Sequence, residues 1–362
     1  MSRHPDYNVF VKDESANVGQ SHKARHLQNV MLYLQALKRT GGNELGKRRL
    51  AVASCGNAGL AAATVAAAAE WPIDVCIPQG ADESVVQRLE ELGAHIHMCG
   101  RDGAPVTTVF GKISTLGAAD PTLAVCRALV AEHGSIPFSV QGPECGLAVE
   151  GGKTLAWEVF DALCRDHPKV SVLASCYIQV GGGALGAGLF QGFREDGRMP
   201  VPSLECVQPE GNRPLNRAFE QMKALGVTKA EAAAKTRGSF MWPWAEPASV
   251  ASGILDDETY DWVALCDGML QTGGKSHIVD DATIIEAKGI AESWGVPVCH
   301  TGAAGLAGLL QSQRAGGAGG DGGSEAGQAG QQAPPSLVIL SGLDRTMSSE
   351  AAADLRLLAG GR

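Results

Sequence analysis

The sequence predicts an α/β fold built on a mainly parallel sheet covered on both faces. Short apolar stretches alternate with helical ones along almost the whole chain, the rhythm of strand–helix–strand units. The strand candidates are near-continuous apolar runs, as in sheets buried on both sides. Turns rich in glycine and small residues follow several of them, and ligands bind at such turns in open parallel sheets.

In chain order, residues 8–12 read as a short strand and 23–39 as a helix. A small strand at 50–53 opens onto a helix at 58–69, and a strand at 73–77 is closed by Pro78. A helix at 84–92 ends at Gly93 in the position that favours a left-handed backbone. A strand at 94–98 precedes two helical stretches, 106–115 and 122–133. A longer helix at 150–164 leads to a buried strand at 171–180, a helix at 184–193 and a strand at 203–207. Helices at 282–294 and 303–311 and a strand at 337–340 follow. Residues 313–335 are mostly Gly, Ala, Gln and Ser with two prolines, and are expected to form a disordered loop.

With 362 residues, 44% hydrophobic and 19% charged, the chain has ordinary globular composition and room for one large or two medium domains. A net charge of −9 argues against nucleic acid as the main partner. No stretch reaches the length of a membrane span, and the first ten residues lack the apolar core of a signal peptide. The cysteines are scattered with no C-x-x-C pair, so a reducing, cytoplasmic setting is expected. His95 and His97 share one side of a strand. Without a carboxylate or a third ligand they read as structural, and no metal is expected.

Four turns carry candidate chemistry. Ser21-His22-Lys23-Ala24-Arg25 starts a helix, where the positive end of the dipole favours a neutral, nucleophilic Lys23 amine; a solvated Lys/Arg pair is the alternative. Ser54, Cys55, Gly56, Asn57, Ala58 and Gly59 follow a strand, and their backbone N–H groups suit a carboxylate. Asn57 could instead cap its own helix, and Cys55 reads as a packing residue. Gly181, Gly182, Gly183, Ala184, Leu185 and Gly186 form a turn that lets a phosphate approach the backbone. Their spacing also matches the dinucleotide fingerprint G-x-G-x-x-G, with Glu205 as the ribose acid. Ser341 stands at the end of the last strand, free to meet a ligand atom or to stabilise a turn with Asp344.

Taken together and in this order, these turns resemble the fold type II enzymes that depend on pyridoxal 5'-phosphate (PLP). That family includes threonine synthase, serine and threonine dehydratases and cysteine synthase. The resemblance implies two αβα sandwich domains. Residues 1–45 and 145–362 would form the larger, PLP-binding domain, and residues 46–144 the smaller one carrying the substrate loop. It implies that Lys23 holds PLP as a Schiff base and later takes the Cα proton. It implies that Asn57 bonds the phenolic oxygen, that Gly181 to Leu185 hold the phosphate, and that Ser341 bonds the pyridine nitrogen. Ser54, Cys55, Gly56, Asn57 and Ala58 would hold the carboxylate of a small amino-acid substrate. Glu150-Gly151-Gly152-Lys153-Thr154-Leu155-Ala156-Trp157-Glu158 resembles a threonine synthase stretch, whereas the Gly181 turn is closer to the dehydratase type. The implied activity is a PLP-dependent lyase, threonine synthase-like or an ammonia-lyase, working as a homodimer. Threonine synthase chemistry needs a second anion site, for which Lys153, Lys275, Arg345 and Arg25 are candidates. Fewer residues precede Lys23 than the family has, so a missing N-terminal strand is expected. Outside this class, the alternatives are an NAD(P)-binding oxidoreductase and a non-catalytic PLP-binding protein.

Overall fold

A computed structural model describes residues 1–41, 44–118, 120–318 and 333–345. The chain opens with strands β1 (Ser2–His4) and β2 (Val9–Asp13), then helices α1 (Lys23–Gly41) and α2 (Glu44–Lys47). Strand β3 (Leu50–Ala53), helix α3 (Asn57–Ala68), strand β4 (Ile73–Pro78), helix α4 (Glu83–Glu91) and strand β5 (His95–Cys99) follow. Strands β6 (Val106–Thr108) and β7 (Gly111–Ile113), helix α5 (Pro121–Ala131), strand β8 (Ile136–Pro137) and helix α6 (Leu147–Asp166) come next. Strand β9 (Ser175–Gln179), helix α7 (Ala184–Asp196), strand β10 (Ser203–Pro209), and helices α8 (Pro214–Ala224), α9 (Ala230–Ala234) and α10 (Trp262–Thr272) lead to strand β11 (Ser276–Val279). Helices α11 (Asp281–Ser293) and α12 (His300–Ala318) and strand β12 (Ser336–Leu340) complete the described elements.

Contacts divide the chain into a larger unit, Met1–Ala16 with Gly152–Arg362, and a smaller one, Asn17–Gly151. The smaller unit therefore holds residues 17–45, which the sequence assigns to the larger domain. The reason is packing. Leu27, Val30, Met31 and Leu34 recur at helical spacing on one face of α1, and they lie in one apolar cluster with Val52, Ala61, Ala62 and Val65.

In the larger unit the sheet runs β1-β2-β12-β9-β10-β11 among the described residues. Only the β1–β2 pair is antiparallel. Phe160, Phe193, Trp262 and Leu155 fill the core on one side, and Val207, Val338, Ala303 and Leu306 belong to a second cluster. In the smaller unit β5-β4-β3-β8 is parallel throughout. Its alanine-rich α3 packs closely because its inward side chains are small.

Two local expectations change. Residues 106–113 form an antiparallel hairpin rather than a helix, with Thr108 paired to Gly111. The β-branched Val106-Thr107-Thr108 run favours a strand, and Gly111 adopts a φ of 122° at the turn. Residues 313–318 continue α12 instead of opening a loop. Of the loop expected over 313–335, residues 319–332 lie outside the described residues.

Candidate active site

The smaller unit carries two of the four turns. Lys23 is the first residue of α1 and half-buried, and the next turn closes with Arg25 N–H donating to His22 O at 3.0 Å. Its approach to the rest of the unit is set by glycines. Gly19, with a φ of 72°, lies so near α3 that a Cβ would be 3.1 Å from Ala61 Cα. Gly151 on α6 faces the first turn of α1, where a Cβ would be 2.5 Å from Arg25 O and 2.7 Å from His26 Cα. His26 Nδ1 meets Ala148 O at 2.8 Å on the same helix pair. Gly151, in the stretch that resembles threonine synthases, therefore fixes the helix that presents Lys23.

The turn after β3 is also shaped by small residues. Gly56, rather than Asn57, occupies the N-cap position of α3. Asn57 is instead the first helical residue. Gly56 N–H donates to Ser54 Oγ at 3.3 Å, and a Cβ on Gly59 would overlap Ser54 O. Cys55 is exposed rather than packed.

The larger unit carries the other two turns, and sheet order brings them together. Strands β9 and β12 are parallel neighbours, with Cys176 opposite Leu337 and Tyr177 opposite Val338. The Gly181 turn and Ser341 thus both lie beyond carboxyl ends of adjacent strands, where such sheets bind ligands. Gly183 is the N-cap of α7, with a φ of 102° and no side-chain cap. The first N–H groups of that helix face away from any intrahelical acceptor. A Cβ on Gly181 would overlap Asp256 Oδ2 and lie 3.0 Å from Ile254 Cα, and one on Gly182 would be 2.9 Å from the Tyr260 ring.

Ser341 is 3% exposed, and Gln179 Nε2 donates to its Oγ. The rest of that turn is pinned by Cys299 N–H on Gly342 O at 2.9 Å and by Asp344 N–H on Pro297 O at 3.0 Å. Asp344 forms an ion pair with Lys288 at 3.0 Å. Gln179, Asp256 and Tyr260 belong to none of the four motifs. A lone glutamine ending an apolar strand is the only one of them with a visible signal in the sequence.

Two other candidates are engaged elsewhere. Glu205 accepts from Ser203 Oγ at 2.6 Å and meets His277 Nε2 at 2.6 Å. Burial raises its pKa, but the His277 and Ser203 bonds outweigh that and hold it below the usual value. This partnership removes the acid that a dinucleotide reading requires. Lys153 is buried and pairs with Glu195 at 2.6 Å, so it is a poor candidate for a second anion site.

The residues present fit a phosphate-bearing cofactor. An uncapped glycine turn opens α7, and Ser341 offers a buried hydroxyl beside it. In the same unit, Gln179 Oε1 is buried with no hydrogen-bond partner among the described residues, a condition that is costly unless a ligand or water satisfies it.

Comparison with known proteins agrees. Residues 1–322 match the family described as pyridoxal-phosphate dependent enzyme, and the chain belongs to that family. A mouse serine dehydratase-like protein is 30% identical over 233 residues, 64% of this chain and 60% of its own length. The threonine synthase of Methanocaldococcus jannaschii is 24% identical over 306 residues, 82% of this chain and 64% of its own. The chain thus spans less than two thirds of the length of these relatives. Maize serine racemase superposes with a TM-score of 0.67 at 17% identity, covering 99% of this chain and 92% of that one, a likeness of fold. The fold is that of type II PLP enzymes, and family membership implies PLP as the cofactor. Among the described residues no helix is long and apolar enough to cross a membrane.

Proposed function

We propose that this chain is a PLP-dependent lyase that removes the β-hydroxyl and then the amino group of a small hydroxyamino acid such as serine or threonine. The observation that carries this reading is the placement of Ser341 beside the Gly181 turn, held by Gln179. A hydroxyl at the pyridine nitrogen would not force a proton onto it as a carboxylate would, which suits β-elimination rather than transamination. Asp344, three residues along the chain from Ser341, is engaged by Lys288.

Bound PLP supplies an electron sink for the pair left at Cα. Lys23 Nζ would hold the cofactor, and its amine would take the Cα proton as general base. Gly181, Gly182, Gly183, Ala184 and Leu185 hold the phosphate through backbone N–H groups. Ser54, Cys55, Gly56, Asn57 and Ala58 would hold the substrate carboxylate, and Asn57 would also bond the phenolic oxygen. The 30% identical serine dehydratase-like relative and the Lys153–Glu195 pair support the ammonia-lyase form over the threonine synthase form. The family resemblance also supports a homodimer, and the scattered cysteines with no C-x-x-C pair support a reducing, cytoplasmic setting.

Screening serine, threonine, cysteine, diaminopropionate and phosphohomoserine separates these readings. Keto acid from serine or threonine is expected. Release of phosphate and threonine from phosphohomoserine would instead establish the threonine synthase form. Purified protein should be yellow, and borohydride should fix the cofactor on Lys23. Unchanged visible absorbance of Lys23→Ala after dialysis would remove Lys23 from its role.

A further inference from the structure

The smaller unit contains a second cluster of chemically capable side chains. His95 and His97 lie on one face of β5, and the parallel register sets Asp74 of β4 opposite His95. Asp74 is the carboxylate that the strand sequence of β5 lacks. Its Oδ1 is 3.2 Å from His95 Nδ1 and 2.9 Å from His97 Nε2, and those two nitrogens are 3.2 Å apart. Asp74 and His97 are buried, whereas the His95 side chain is 44% exposed.

We propose that Asp74, His95 and His97 form a binding site for a divalent transition metal of the zinc type. Three donor atoms converge here instead of pairing off. A triangle with edges of 3.2, 3.2 and 2.9 Å has a circumradius of about 1.8 Å. A point ~1 Å above its plane is then about 2.05 Å from all three atoms, within the range of zinc–imidazole and zinc–carboxylate bonds. Tetrahedral zinc with such bonds separates its ligands by about 3.3 Å, close to the spacing already present.

The surrounding contacts orient the donors outward to that point. His97 Nδ1 lies 3.4 Å from Thr107 O on β6, which can take the Nδ1 proton and leave the Nε2 lone pair facing Asp74. In that tautomer the lone pair and the carboxylate oxygen, 2.9 Å apart, favour a cation between them. Asp74 keeps its other oxygen on Arg49 Nε at 2.6 Å, which fixes the carboxylate plane and serves as the outer support that metal ligands commonly have. Two imidazoles and one carboxylate suit zinc and its neighbours rather than magnesium or calcium. Three protein ligands leave a fourth position on the exposed side, at His95, for water or an external ligand.

The test is zinc titration of the full-length holoenzyme after treatment with a chelator and dialysis. One equivalent should bind with a dissociation constant of about 1 μM or tighter, and the melting temperature should rise by about 5 °C at saturating zinc. His95→Ala removes an exposed side chain, so the fold should tolerate it, and it should weaken zinc binding about 100-fold. Asp74→Asn provides a second variant. Cys164→Ser removes an exposed thiol elsewhere and should leave binding unchanged. Cobalt substitution should give visible bands of a tetrahedral centre that vanish in His95→Ala. No binding below about 100 μM zinc, or binding lost with Cys164 and retained in His95→Ala and Asp74→Asn, would overturn the proposal.

Discussion

Gly151→Ala isolates how the smaller unit presents Lys23. In an open helix interior, glycine to alanine stabilises by roughly 0.5–1 kcal/mol because the unfolded chain has less freedom to lose. Gly289 on α11 is such a position, with no atom within 4 Å of an added Cβ. At Gly151 the added Cβ would sit 2.5 Å from Arg25 O, 2.7 Å from His26 Cα and 3.0 Å from Arg25 C, whereas ordinary contact begins at 3.4 Å. The shortfall is 3.4 − 2.5 = 0.9 Å, and every atom involved is backbone, so no side chain can rotate away. The first turn of α1 must shift by most of that distance. Overpacking of this kind costs about 1–3 kcal/mol, and rigid partners place it near the upper end. After the helix gain, the net loss is about 2 kcal/mol, or a fall in melting temperature of about 4–8 °C. Lys23 lies two residues before Arg25, and a misplacement near 1 Å can lower turnover about 100-fold. The assay pairs thermal unfolding with amino-acid turnover for Gly151→Ala and Gly289→Ala. Equal melting temperatures, or unchanged turnover in Gly151→Ala, would refute the reasoning.

Other outcomes follow from the same contacts. Gly183→Ala places a side chain at φ 102° and 2.9 Å from Leu265 Cδ1, so PLP should dialyse away faster while the far-ultraviolet spectrum stays close to that of the parent. Glu205 has a depressed folded pKa. Its contribution is therefore present above its unfolded pKa near ~4.3 and is lost as pH falls through the folded value. Glu205→Gln should destabilise by about 1–3 kcal/mol at pH 7, with the difference from the parent shrinking below about pH 4; urea unfolding at both pH values checks this. Phe160→Ala empties a fully buried position in the larger core and should cost about 3–5 kcal/mol in the same measurement.

The parallel framework was legible because its signals are local. Strand β3 is a continuous apolar run between turn residues, and Gly93 ends the α4 segment with a φ of 72°. The expectation for the segment 106–113 is a helix, although its β-branched residues favour a strand. It becomes β because Thr108 Oγ1 bonds Gly111 O and Phe110 N–H bonds Thr108 Oγ1, contacts that exist only once the turn has formed. Residues 17–45 were harder to assign to a unit. Amphipathic spacing says that α1 has a buried face, but not which sheet that face covers.

The site shows the same division between local and non-local information. A glycine turn and a helix-starting lysine are written in consecutive residues. Their support is not, since Gln179 and Ser341 are 162 residues apart in sequence. Only the adjacency of β9 and β12 makes them neighbours. Gln179 has one amide to offer, and in the structure Nε2 is the end that faces Ser341 Oγ. That arrangement occupies a lone pair of the hydroxyl, and in the proposed site the hydroxyl would face the pyridine nitrogen as the donor of its proton. With the amide reversed, Oε1 would accept that proton and the hydroxyl would meet the ring only as an acceptor. The orientation of Gln179 therefore decides whether Ser341 can donate. Gln179→Glu, an acceptor when ionised, should shift the visible absorbance of bound PLP and weaken its affinity at neutral pH, whereas a purely structural role would leave the absorbance where it is.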